Sequence, residues 1–251
     1  MWPFKKKKEK ESVVGVNSIL CIPGYWDDTV EILPKTNGKL MVVGGVLMDI
    51  KNQRHYEIEL CEFDSRMRES FKVAGMVTGV SNEFLNQIET HTSVIYIIGE
   101  TGSFEGAKYI SQVASALLNA GGIGVKVEST GKAFEKDKWL FFSEEGEDAS
   151  MYELFVLDSL MMKDGTTYSC GMHNIGLKDT IISNLEFEEA QKLVRIFNYY
   201  QVIDKPVIAN NQTFRTDINS PFYRIKEDFN QPYKVDSLFA NPYGMWRLTR
   251  E

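Results

Sequence analysis

An α+β fold is what this 251-residue sequence predicts, and three observations carry it. An antiparallel hairpin opens the chain, helices and strands alternate after it, and the second half repeats the same grammar. The expected architecture is two lobes of mixed or antiparallel sheet, with helices packed on one face and a single sheet shared between the lobes as one arrangement of them. The boundaries read as a basic tail over residues 1–11, a first lobe over 12–145 and a second over 146–251.

In chain order, alternating β-branched and apolar residues predict strands over 18–22, 39–50 and 55–63, the last two joined by the polar turn Lys51-Asn52-Gln53. Asp64 and Ser65 can cap a helix that presents Met67, Phe71 and Ala74 on one stripe. Ser81 can cap another, running to His91, with Phe84, Leu85 and Ile88 inward. A strand over 92–99 follows. Ser103 then opens the clearest helix, whose Ala107, Ile110, Val113, Ala114 and Leu117 share one side and which Gly121-Gly122 ends. Residues 123–129 read as a strand, as do 152–162 and 166–172 around the Asp164-Gly165 turn. Ser183 with Glu186 has the spacing of a capping box before the stripe Phe187, Ala190, Leu193, Val194 and Phe197. Residues 233–239 and 245–248 are the last predicted strands, on either side of the turn Asn241-Pro-Tyr-Gly244.

Composition narrows the function. With 43% hydrophobic and 25% charged residues, the chain can bury a full core without covalent staples. Its three cysteines, Cys21, Cys61 and Cys170, are scattered and odd in number, which points to reduced thiols in a reducing compartment. No run approaches the roughly 18 apolar residues of a membrane span, and Gly15, Asn17 and Ser18 interrupt the segment after the N-terminal lysines, so export is not expected. The expected compartment is the cytoplasm. Trp2, Phe4, Lys5, Lys6, Lys7 and Lys8 are able to touch an anionic inner membrane weakly.

The net charge is −7. Five of the 28 basic and two of the 35 acidic residues fall in the first eleven, so the remainder holds 23 against 33, a net of −10. Such a body repels phosphate backbones and is complementary to a basic protein.

Candidate chemistry gathers in two glycine-rich segments. The loop over 98–108 resembles a phosphate loop in outline, but Phe104 and Glu105 stand where a Walker loop needs Lys and Ser/Thr, so it reads as a helix cap and no cofactor is implied. In the strand over 123–129, Lys126 and Glu128 are two apart and share a face. Thr130 and Lys132 extend the polar character, and with His173 and Asn174 they make up the expected binding residues. His173, the histidine inside a glycine-rich polar stretch, is the candidate for proton transfer, with Cys170 or Asp179 as its partner in a hydrolase or transferase. The competing reading makes His173 a hydrogen-bonded structural residue. Cys170 and His173 alone supply two of the four ligands of a structural zinc, so no metal is expected.

The segments Ala120-Gly-Gly-Ile-Gly-Val-Lys-Val-Glu-Ser-Thr-Gly-Lys-Ala-Phe134 and Ser169-Cys-Gly-Met-His-Asn-Ile-Gly-Leu-Lys-Asp179, with the region 233–248, resemble an uncharacterised bacterial family catalogued as a domain of unknown function. The likeness spans most of the chain and implies no catalytic residue. Small bacterial α+β proteins that open on such a tail resemble toxin-neutralising or secretion-associated partner proteins. The resulting expectation is an immunity-like or adaptor module that binds a basic partner through an acidic surface.

Overall fold

The computed structural model describes residues 15–36 and 38–251, so the basic tail and its membrane contact lie outside the described residues. Strands β1 (Asn17–Gly24), β2 (Leu40–Val43), β3 (Val46–Asp49), β4 (Arg54–Glu62), β5 (Ser93–Glu100), β6 (Gly124–Val127) and β7 (Lys132–Glu135) form an antiparallel sheet in the order β2-β3-β4-β5-β1-β6-β7. The segment 39–50, expected as one strand, is a hairpin. Gly44 and Gly45 both have positive φ, 56° and 81°, which is the conformation of a two-residue turn that matches strand twist.

Strand alternation decides what covers each face. Leu20, Ile22, Ile95, Ile97, Val125 and Val127 pack beneath α4 (Phe104–Asn119). Cys21, Val94 and Ala133 point the opposite way, to α2 (Met67–Ala74) and α3 (Asn82–Glu89). Helices expected on one face thus lie on both faces of this sheet. The caps follow the sequence in part. Ser81 and Ser103 accept from the main-chain N–H of Phe84 and Gly106 at 3.1 and 3.0 Å, whereas Asp64 binds Arg66 and gives α2 no side-chain cap. The short α1 (Ile32–Lys35) bridges β1 and β2.

A second sheet holds β8 (Leu157–Met161), β9 (Thr167–Cys170), β10 (Asp179–Ile182), β11 (Thr213–Phe214), β12 (Tyr223–Asp228) and β13 (Met245–Arg250). Its order is β11-β12-β13-β10-β9-β8, mixed because β10 and β13 run parallel. Helices α5 (Lys136–Glu145) and α6 (Asp148–Phe155) precede it, and α7 (Phe187–Ile203) lays Ala190, Leu193, Val194 and Phe197 against Ile182, Ile225 and Leu248. Three local expectations change. Residues 152–155 finish α6 rather than start a strand, since a helix buried on both sides has the same unbroken apolar run as a buried strand. Residues 233–239 form turns in which Tyr233 stacks on Phe239. The Ser183 hydroxyl bonds Thr166 and Arg247, and leaves α7 without a side-chain cap.

The lobes share a core, while each has its own sheet. One apolar cluster joins Leu20, Ile97, Val127 and Leu117 to Tyr152, Phe155, Met172, Ile175 and Val202. Trp139 sits inside it, edge-on to Phe134 and Phe155, and its indole N–H donates to Ser111 O at 3.2 Å.

Candidate functional site

The two glycine-rich segments meet in space, and Asn174 is where they are tied. Its side-chain oxygen accepts from Ser18 at 2.5 Å and Ser129 at 3.0 Å, and its amide donates to Gly171 O at 3.1 Å and Phe155 O at 3.4 Å. Its main-chain carbonyl takes Gly102 N–H at 2.9 Å. Asn174 is fully buried, so these partners satisfy donors and acceptors that water cannot reach. Gly171 makes the approach possible. At φ 111° it stands so close that a Cβ would lie 2.1 Å from Phe155 O and 2.3 Å from Thr130 Cγ2. Thr130 is accordingly buried in this joint.

His173, Cys170 and Asp179 belong to the same turn region, but no hydrogen bond joins His173 to either of the others among the described residues. The imidazole is 2% exposed, and neither ring nitrogen has a well-aligned hydrogen bond among the described residues, the Leu238 main chain being the polar group that acts on the ring. Burial pushes its pKa down to about 4, so at neutral pH the ring is uncharged. Burial likewise raises the Cys170 thiol well above its ordinary value, helped by the Asp179 carboxylate, and its sulfur approaches Ser129 O and Phe239 O at 3.7 Å. The fully buried Asp179 accepts from Ser169 (2.9 Å), Asn241 (2.7 Å) and Met172 N–H (3.3 Å). Burial outweighs those bonds and raises its pKa to about 7.

Lys126 and Glu128 do share a face, and form an ion pair of 3.0 Å while Lys126 also donates to Ser70 at 2.8 Å. They border a groove of about 490 Å³ whose floor is Ile19, Tyr96 and Ile98 and whose sides include Glu59, Asp64, Arg66 and Leu238. This is the part of the second face that α2 and α3 leave uncovered. Register extends it outward, because Glu57 pairs with Ile98 and Val46, Met48 with Met41, and Val43 with Val46. Met41 and Val43 are 40% and 58% exposed there, beside the exposed carboxylates of Glu57 and Glu59.

Lys132 lies elsewhere. Paired with Val127 in the register of β6 and β7, it points to the opposite face from Lys126. Its ammonium donates to Glu153 O at 2.5 Å and Val156 O at 2.7 Å, the carbonyls that end α6. Around it is a network that sequence reading missed. Asp158 accepts from Arg195 (3.0 Å), Asn198 (3.0 Å) and the Tyr152 hydroxyl, while Glu153 accepts from Arg195 (2.5 Å) and the Tyr199 hydroxyl. A carboxylate at position 158, inside an otherwise apolar run, is the signal available for it, since a buried charge needs a partner. Burial lowers the Lys132 pKa to about 8, against the pull of Glu153 and Asp158.

Among the described residues, no three His, Cys, Asp or Glu side chains converge as a metal centre requires, and no helix is long and apolar enough to cross a membrane. Compared with protein-family models, curated proteins and solved structures, the chain matches none.

Proposed function

We propose that the protein is a binding module, immunity-like or adaptor-like and cytoplasmic, that holds a basic segment of a partner protein across the uncovered face of its first sheet. The observation that carries this reading is the alternation of apolar and acidic side chains there: Ile19, Ile98, Val46 and Met48 give a floor for apolar anchors, and Glu57, Glu59 and Glu128 ring it with acceptors. Glu57 and Glu59 make no ion pair among the described residues, which leaves both for cations of a partner. An overall charge of −10 outside the first eleven residues steers a basic partner toward the body and sets a salt dependence.

Capture of proteins from the source cell's lysate by the wild-type chain and by Glu57→Lys/Glu59→Lys tests the proposal. Basic proteins are expected on the wild type alone, with affinity about tenfold weaker in the variant or after raising salt from about 50 to 300 mM. Equal capture by both chains, or capture of acidic proteins that resists salt, would overturn it. Both substitutions are at exposed positions, so melting temperature is expected to change little.

A further inference from the structure

Behind the first sheet lies a second cavity, of about 330 Å³, between β7, α5, α6 and α7. Its depth is graded. Lys132, Asp158 and Val156 are buried at the bottom, Phe134 and Phe142 wall it, and Lys138, Lys192 and Glu188 are exposed at its mouth. Arg195 takes both inner carboxylates, Glu153 and Asp158, as ion-pair partners. Lys132 has none within 4.0 Å among the described residues and bonds only to neutral carbonyls. Burial disfavours the charged form of this amine, while Glu153 and Asp158, which are shared with the Arg195 guanidinium, pull the other way. Two of its hydrogen positions are used by Glu153 O and Val156 O, and the third is left for the cavity that the residue lines.

We propose that this cavity is a carbonyl-binding site in which the Lys132 amine condenses with a small 2-oxo acid or an aldehyde that carries a carboxylate. The ammonium first releases one proton. The Nζ lone pair of the neutral amine then adds to the carbonyl carbon as the π pair moves to oxygen. One of the two remaining nitrogen hydrogens and the released proton leave with that oxygen as water, while the nitrogen lone pair forms the second C–N bond. The carbonyl compound and the lysine ammonium thus give a protonated imine and one water, with a single positive charge on each side. The retained N–H keeps one of the two main-chain bonds, and Glu153 and Asp158 balance the cationic imine. Lys192 at the mouth suits the ligand's carboxylate, with Lys138, whose ammonium also donates to Thr78 O at 2.8 Å, beside it. The lowered pKa of Lys132 agrees with this chemistry, because a sizeable fraction of the amine is neutral near pH 8.

Glyoxylate with cyanoborohydride is the probe, since reduction traps the imine as a carboxymethyl group that peptide mapping locates. On the folded full chain at pH 8, Lys132 is expected to be modified about tenfold faster than the average exposed lysine, because its amine is far more deprotonated. That advantage should vanish in denaturing urea, and Lys132→Arg should remove the fast label while leaving the slow ones. If Lys132 in the folded wild type is modified no faster than exposed lysines, the proposal fails. This outcome needs no variant and is independent of the partner-binding face.

Discussion

Gly171→Ala is expected to destabilise the fold by about 3–5 kcal/mol, the sum of a left-handed backbone forced on a residue with a Cβ and of hydrogen bonds lost as the joint opens. The added methyl would meet Phe155 O at 2.1 Å, a main-chain atom at the end of α6 that has no rotamer to change. Relief requires Gly171 to move from Phe155. That movement breaks the Asn174 amide bonds to Gly171 O and Phe155 O and withdraws Asn174 from Ser18 and Ser129. Gly165→Ala separates conformation from contact. Gly165 also has positive φ, 82°, but nothing lies within 4 Å of its would-be Cβ, so a cost of only about 1 kcal/mol is expected. Urea denaturation of the two variants checks the comparison. A Gly171→Ala chain as stable as Gly165→Ala would mean that the joint yields and that the two lobes are less firmly tied than the contacts imply.

The second large effect is on the pH dependence of stability, where His173 and Asp179 act in opposite directions. The folded pKa of His173 lies below its ordinary 6.5, at about 4, so the unfolded chain binds the extra proton between those values. Its contribution is present above pH 6.5 and is lost as pH falls toward 4, by about 3 kcal/mol. Asp179 is raised from 3.8 to about 7, so the folded chain holds the extra proton in that window. Its contribution is present below pH 3.8 and is lost as pH rises through 7, by about 4 kcal/mol. In the wild type the two slopes offset each other between about pH 4 and 6.5. His173→Leu is expected to expose the falling limb, with stability dropping as pH rises, and Asp179→Asn the rising one. Denaturation midpoints at intervals from about pH 4 to 7.5 read both slopes, and variants whose curves run parallel to the wild type would show that neither group is coupled to folding.

The buried, uncharged imidazole of His173 bears on the chemistry expected of this region. The sequence allows a hydrogen-bonded structural His173 or a proton-transfer residue. In the fold the ring is buried with the Leu238 main chain beside it, and neither nitrogen forms a well-aligned hydrogen bond among the described residues. Sequence shows which residue types a segment contains. Whether a ring nitrogen has a partner is decided by loops such as 229–244, which reach His173 only after folding.

How much was legible follows from the range of each interaction. The turn at Lys51-Asn52-Gln53, the Ser103 cap, the Gly121 terminator, the Asp164-Gly165 turn and the stripe of α7, apart from the exposed Phe187, are patterns within four or five residues, and local spacing marks them. The sharing of a face by Lys126 and Glu128 is of the same kind, because strand alternation is a local property. Lys132 follows them in the chain with one tight turn between, yet β7 returns with Lys132 opposite Val127, facing the other way.

By itself, then, the sequence determined the α+β class, most turns, the Ser81 and Ser103 caps, the acidic body and the pairing of Lys126 with Glu128, since each depends on neighbours along the chain or on summed charge. The tertiary structure alone decided that there are two sheets over one core, that Asn174 reaches Ser18 across 156 positions, and that Lys132, Glu153, Asp158 and Arg195 surround one cavity. The physical reason is that burial and long-range pairing come from packing. A buried amine or amide has the same letter in the sequence as an exposed one, and only the groups brought against it set its charge and its partners.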